Sequence, residues 1–258
     1  MIKAVFFDID GTLVPHAAYG MPDSTRQALE AVRQKGIKLF LSTGRSPNGI
    51  GFLEKEFDFD GVISFNGQYC FDRSGVLRQD PLPAEEVLSV LPYLEEKQIS
   101  ANFETLEGDG FNFINDRVLD FARRFHVVEK ELRVVDIASA ERTVYHMLLF
   151  VTSQEEEDVM RRLPHCKALR WCSDFVNVIN RDGGKSVGIS AFCQKYGFER
   201  EEIMAFGDGG NDVDMLEYAG IGVAMGNAET ETKAAADYVT TAVDDNGIYN
   251  ALKHFEVI

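Results

Sequence analysis

The chain has 258 residues, 45% hydrophobic and 26% charged, a balance that suits a globular protein with a sizeable core in one large domain or two modest ones. Acidic residues outnumber basic ones by 42 to 26, and the formal charge of -16 argues against a nucleic-acid or anionic-membrane surface. An anionic small substrate stays open, because a bound metal and one or two placed cations invert a local field. Cys70, Cys166, Cys172 and Cys193 form no C-x-x-C pair and have no His at zinc-ligand spacing, so reduced thiols in a cytoplasmic protein are expected. Asp8 and Asp10 break the first apolar run too early for a signal peptide, and no stretch approaches the roughly 18 apolar residues of a membrane span.

The first element is Ala4 to Phe7, a short apolar run that reads as a strand buried on both faces. It leads into Asp8, Ile9, Asp10, Gly11 and Thr12. If the extended backbone continues for one pleat, Asp8 and Asp10 face one crevice, and a divalent cation is the usual remedy for their repulsion. Ser24 with Gln27 reads as a capping box before a helix carrying Ala28, Leu29 and Val32, stopped by Gly36. Ile37 to Leu41 is a second strand, ending in Ser42-Thr43-Gly44-Arg45, and Ser46-Pro47 suggests another helix start. Gly61 to Phe65 is a third strand, ending at the turn dipeptide Asn66-Gly67. This alternation predicts a doubly wound parallel sheet, an α/β Rossmann-like core.

After the stiff Pro81-Leu82-Pro83 the pattern changes to an α+β unit. Val87, Leu91 and Leu94 mark a helix, which Pro92 must kink unless it sits near the helix's end. Asn112 to Ile114, Val144 to Val151 and Phe175 to Ile179 read as strands, and Val159, Met160 and Leu163 as a helix whose first turn is Glu155 to Asp158. Beyond Arg181-Asp182-Gly183-Gly184 the α/β rhythm resumes. Helices are expected at Lys185 to Tyr196, from Asn211, at Glu229 to Ala236 and at Tyr249 to Phe255, with strands at Ile203 to Phe206, Ile221 to Ala224 and Tyr238-Val239. The expected division is 1–81 and 182–258 for the core and 82–181 for the inserted cap.

Asp8/Asp10, Thr43-Gly44, Lys185 and the run Gly207-Asp208-Gly209-Gly210-Asn211-Asp212 follow strand ends or open helices, where ligands bind in such sheets. The set suits phosphoryl transfer. A carboxylate can attack phosphorus, a hydroxyl and backbone N–H groups can hold phosphate oxygens, a Lys can neutralise developing charge, and carboxylates can bind Mg²⁺.

DIDGT, STGR, a lone Lys after the insert and GDGGND together resemble the four motifs of the haloacid dehalogenase superfamily, and in detail its Cof-type sugar-phosphate phosphatases with a large α/β cap. IGVAMGNA and KAAADYVT are similar to the Cof type as well. The resemblance implies Asp8 as nucleophile and Asp10 as acid and base, with Lys185 paired to Asp8 and the phosphate. It implies that Thr43, Gly44 and Asn211 bind phosphate. Mg²⁺ would be held by Asp8, the Asp10 carbonyl and Asp208, with Asp212 acting through water or from behind. The partner would be a small phosphorylated metabolite, the chain a monomer or small homo-oligomer. A phosphomutase or phosphotransferase, or a phosphoacceptor receiver, are the alternatives; Asp10 and the cap argue against a receiver. The chain departs from the pattern at Ser186-Val187-Gly188, where many relatives have Gly directly after the Lys, and at Gln68, where Ala is frequent.

Other readings fail on single residues. Val213 stands where an EF-hand loop needs Gly, Ile179 where a P-loop ending in Gly184-Lys185-Ser186 needs Gly, and Asp212 where a dinucleotide fingerprint needs Gly. Arg45 fits either a phosphate contact or a structural ion pair. His16 reads as a solvated loop residue and Trp171 as cap core rather than a sugar-stacking platform.

Overall fold

Ala4–Phe7 forms β1, and all four residues are buried, as a strand covered on both faces must be. Val5 and Phe7 join one apolar cluster with Leu29, Val32 and Leu252. Ala4 and Phe6 join another with Phe40, Ile189 and Phe192. Period-two alternation thus divides one apolar run between two cores, one on each face of the sheet. The computed structural model describes residues 1–16, 20–124, 127–138, 142–170 and 173–258. Trp171 and Cys172 lie outside the described residues.

The chain divides into two compact units, 1–79 with 184–258, and 80–183. The first unit begins with β1, α1 (Asp23–Gln34), β2 (Lys38–Ser42), α2 (Gly51–Glu54), β3 (Gly61–Ser64), β4 (Tyr69–Asp72) and β5 (Gly75–Gln79). The second unit contains α3 (Ala84–Glu96), β6 (Ala101–Thr105), β7 (Gly108–Phe111), α4 (Asp116–Arg124), β8 (His146–Leu149), α5 (Ser153–Met160), β9 (Cys166–Leu169) and β10 (Val176–Asn180). The first unit resumes with α6 (Lys185–Tyr196), β11 (Ile203–Gly207), α7 (Val213–Tyr218), β12 (Ile221–Ala224), α8 (Thr230–Ala235), β13 (Tyr238–Val239) and α9 (Gly247–His254).

The sheet of the first unit runs β13-β12-β11-β1-β2-β3-β4-β5. Neighbours from β13 to β3 are parallel, and β4 and β5 add an antiparallel hairpin at the edge. Winding outward from β1 one way and from β11 the other makes their carboxyl ends the topological switch point. Phe7 pairs with Phe206 and with Leu41, so Asp8, Gly207-Asp208 and Ser42-Thr43 leave the sheet side by side. α9 residues Ile248, Ala251 and Leu252 pack with α1 on one face, and α6 and α7 cover the other.

The sheet of the second unit runs β7-β6-β8-β10-β9, antiparallel throughout. Phe103, Met147, Leu149, Val176 and Val178 line one of its faces and pack with Val87, Val90 and Leu94 of α3 and Val159 of α5.

Several local expectations need correction. α1 starts at Asp23 behind Pro22, with no side-chain cap, so Ser24 and Gln27 make no capping box. With Pro22 at the N-cap, its φ fixed near the helical value, the helix starts two residues earlier. A capping box of that kind closes on Thr152 and Glu155 at the start of α5. Pro92 lies inside α3 near its end at Glu96, as expected. Leu88, whose carbonyl loses its N–H partner, lies on the exposed face, where water can replace the bond. Asn112 ends β7 instead of starting a strand: its side chain accepts from the Ala101 N–H at 2.8 Å and donates to the Ile99 carbonyl at 3.1 Å.

Candidate active site

Lys185 is the first residue of α6 and is fully buried. Its Nζ donates to Asp8 Oδ1 at 2.7 Å and to Asp212 Oδ1 at 2.5 Å. The other oxygen of Asp212 accepts the N–H groups of Asp208 and Gly209, both at 2.9 Å. Asp212 therefore ties its own loop together while facing the lysine. Position 207 must be glycine for this, since a Cβ there would stand 2.5 Å from the Asp212 Cβ.

Asp208 is held from the first motif. The Thr12 hydroxyl donates to its Oδ1 at 3.1 Å and Asn227 Nδ2 to its Oδ2 at 3.3 Å. Gly11 has φ +87°, and a Cβ there would stand 2.1 Å from Asp208 Oδ2. The glycine of DIDGT is required both by its backbone and by the carboxylate it faces. Asp8, Asp208 and Asp212 are buried, and one oxygen of each lies within 4.8 Å of the others.

Three buried carboxylates thus stand together, and two of them share one buried ammonium. Burial raises the Asp8 carboxyl well above its ordinary range; Lys185 opposes this, and Asp212, Asp208 and Asp10 push it further up. Burial also raises Asp208, against the opposing effect of the nearby His16 ring. Burial alone would lower Lys185, but the Asp212 and Asp8 carboxylates outweigh it and hold the lysine charged. Clustered hard oxygen donors with surplus negative charge are what a divalent hard cation requires. Asp8 and Asp208 suit direct ligation. Both Asp212 oxygens accept hydrogen bonds, as both Asp208 oxygens do, and Asp212 in addition carries the pair with Lys185.

Asp10 does not join this cluster. β1 ends at Phe7, and Asp10 lies in the following turn, bridged to Val14. Strand alternation therefore no longer governs its direction. Both its oxygens are taken by the Arg45 fork, Nε to Oδ2 and Nη2 to Oδ1, each at 2.7 Å. Arg45 is further fixed by the Gly49 carbonyl at 3.0 Å and the Phe52 ring.

Thr43, Gly44 and Asn211 come together around a residue the sequence reading treated only as part of a turn, Asn66. Thr43 is buried, and its hydroxyl accepts the Arg45 N–H at 3.1 Å. Asn211 Nδ2 donates to Asn66 Oδ1 at 3.0 Å. A Cβ at Gly44 would stand 3.2 Å from Asn66 Nδ2. Asn227 was also missed, though it lies in the quoted stretch IGVAMGNA; it donates to the Gly11 carbonyl at 2.8 Å as well as to Asp208. His16 is exposed, as expected of a loop, yet its Nε2 stands 3.7 Å from Asp208 Oδ2. Among the described residues no helix is long and apolar enough to cross a membrane.

A family model of haloacid dehalogenase-like hydrolases matches residues 5–252. The HAD subclass IIB sugar phosphatase BT4131 shares 39% identity, and the structural match covers 99% of this chain and 100% of that one with a TM-score of 0.90. BT1666 from Bacteroides thetaiotaomicron, a phosphatase of the HAD superfamily, shares 36% identity over 100% of this chain and 96% of its own, with a TM-score of 0.94. The pyridoxal phosphate phosphatase YbhA of Escherichia coli is 27% identical over 252 residues, 92% of each chain. Fold, motif order and relatives agree over nearly the full length: the chain belongs to the haloacid dehalogenase-like hydrolases and, within them, to the Cof-type phosphatases.

Proposed function

We propose that this phosphatase hydrolyses sugar phosphates through an aspartyl phosphate on Asp8, with Mg²⁺ at Asp8, Asp208 and the Asp10 carbonyl. The observation that carries the reading is the pairing of Lys185 with Asp8 and Asp212, with Asp208 within reach of both. A carboxylate with a charged lysine on one oxygen keeps the other for attack on phosphorus. The new bond joins Asp8 to phosphorus, and the bond from phosphorus to the sugar oxygen breaks. Asp10 gives that oxygen its proton, then takes one from the water that attacks the aspartyl phosphate, and inorganic phosphate leaves. Proton transfer of this kind contributes roughly 10² to 10⁴ in rate. Arg45 orients both oxygens of Asp10 for it.

Lys185 neutralises charge on the transferring group, and Thr43, Gly44 and Asn211 hold its oxygens. Bound Mg²⁺ would supply further charge neutralisation at the same group. Asp212 holds the Asp208 loop and balances Lys185. The 80–183 unit serves as the cap that selects the sugar. The likeness to the sugar phosphatase BT4131 supports that substrate class, and the reading places the protein in the cytoplasm.

Phosphate release from hexose phosphates, pentose phosphates and pyridoxal phosphate, with Mg²⁺ and with chelator, tests this. Fastest release from a sugar phosphate, abolished by chelator, is expected. A lead for pyridoxal phosphate would overturn the sugar reading, release in chelator the metal reading, and an isomeric sugar phosphate as product the hydrolysis.

A further inference from the structure

Three consecutive residues at the end of β3 have left-handed backbone: Phe65 at φ 51°, Asn66 at φ 52° and Gly67 at φ 96°. Gly adopts this readily and Asn tolerably, but a bulky aromatic does so only when its surroundings dictate it. Here they do. Phe65 is fully buried, its N–H donates to the Arg45 carbonyl at 3.1 Å, and the Asn66 N–H donates to the Thr43 carbonyl at 3.0 Å. Gly67 lies against the peptide before Lys185, where a Cβ would stand 1.9 Å from the Gly184 oxygen. An ordinary turn would leave Asn66 outside. This one brings its carboxamide inward, fully buried, against Gly44 and onto Asn211.

We propose that Asn66 is a positioning residue of the phosphate site. The inference rests on the reading above that Gly44 and Asn211 hold phosphate. Asn211 Nδ2 carries two hydrogens. Asn66 Oδ1 takes one, which fixes the amide plane and aims the other at a bound oxygen. The backbone carries the rest of the role: the Asn66 N–H sets the Thr43 carbonyl, a bond that Asn66→Gly keeps. Asparagine meets all these demands. Glycine keeps the backbone and loses the amide, while aspartate keeps an acceptor and adds a negative charge beside a site for an anion.

The test compares Asn66→Gly, Asn66→Asp, Asn211→Ala and the Asn66→Gly/Asn211→Ala double variant. KM for the best sugar phosphate, and inhibition by inorganic phosphate, are measured in each. Loss of an aimed bond to a charged ligand predicts that Asn66→Gly weakens phosphate binding about tenfold. Asn211→Ala should do about the same, and the double variant should be no worse than Asn211→Ala. Asn66→Asp should weaken phosphate more than Asn66→Gly does. Phosphate affinity that is impaired in Asn211→Ala but unchanged in Asn66→Gly, or losses that multiply in the double variant, would overturn the positioning role. Unchanged phosphate affinity in Asn211→Ala would instead remove Asn211 from the phosphate site, and the proposal with it.

Discussion

The two units handle charge in opposite ways. In the first, Lys185, Asp8, Asp208 and Asp212 are buried together at the strand ends. In the second, Arg117–Glu155, Arg124–Asp174 and Arg161–Asp158 pair across the surface, and the apolar core behind its sheet takes no part. Among the described residues there, His146 is buried against Glu104 and Arg170 half-buried against Glu156. Desolvating several charges is costly, and such a group is often replaceable by apolar residues with no loss of stability. Surface pairs contribute roughly 0 to 1 kcal/mol and need no function to explain them. The strand-end cluster is therefore explained by chemistry, and the second unit's pairs by solvation.

The largest effect that could break this contrast is on Lys185. Lys185→Met leaves Asp8 and Asp212 buried without their cation, and denaturant unfolding at neutral pH should show a loss of about 3–5 kcal/mol. The sign with pH follows from Asp8. Its carboxyl is raised in the folded state, so stability falls as pH rises from the ordinary carboxylate range through the folded value. Removing Lys185 strengthens that trend, and the deficit of Lys185→Met should shrink as pH is lowered towards that range. A variant as stable as the parent at neutral pH would contradict the cluster's electrostatics.

A smaller effect is expected at Arg45, whose pair with Asp10 is more than a third exposed on both sides. Arg45→Ala should change stability by no more than about 1 kcal/mol. If Arg45 orients the acid, kcat should fall about 10- to 100-fold on an alkyl phosphate and less on an aryl phosphate, whose leaving group needs little protonation. Equal losses on both would remove that role. The smallest effect is expected in the second unit. Glu155→Gln should cost no more than about 1 kcal/mol by thermal unfolding. The Arg117 bond holds Glu155 down at about 2, so its contribution is complete above the ordinary value of 4.5 and fades as pH falls towards 2. A loss of several kcal/mol there would erase the distinction between the units.

The same contrast governs what could be read from the sequence. α6, β12 and β13 begin and end where their patterns say. Asp8, Lys185, Asp208 and Asp212 could be grouped in advance because parallel strands end in polar turns on one edge of the sheet. That Asp10 keeps both carboxylate oxygens on Arg45 could not be read from strand alternation, which stops with the strand. Asn66 was invisible in its role, since its partner Asn211 lies 145 residues away and Asn-Gly alone reads as a turn. The β4–β5 hairpin was not foreseen because local pattern does not say which edge strands pair. In the second unit β6, β9 and α4 escaped for a related reason: short elements in an antiparallel sheet are selected by their neighbours.

The most direct test of the chemistry is a rapid-quench experiment on Asp10→Asn with its sugar phosphate, followed by mass analysis of the peptide carrying Asp8. With Asp8 as nucleophile and Asp10 as the base for its release, one phosphoryl group should accumulate on Asp8. It should be absent from Asp8→Asn, whose turnover should fall by at least about 10⁴-fold. Turnover by Asp10→Asn with no phosphoryl group on Asp8, or near-normal turnover by Asp8→Asn, would contradict the covalent mechanism.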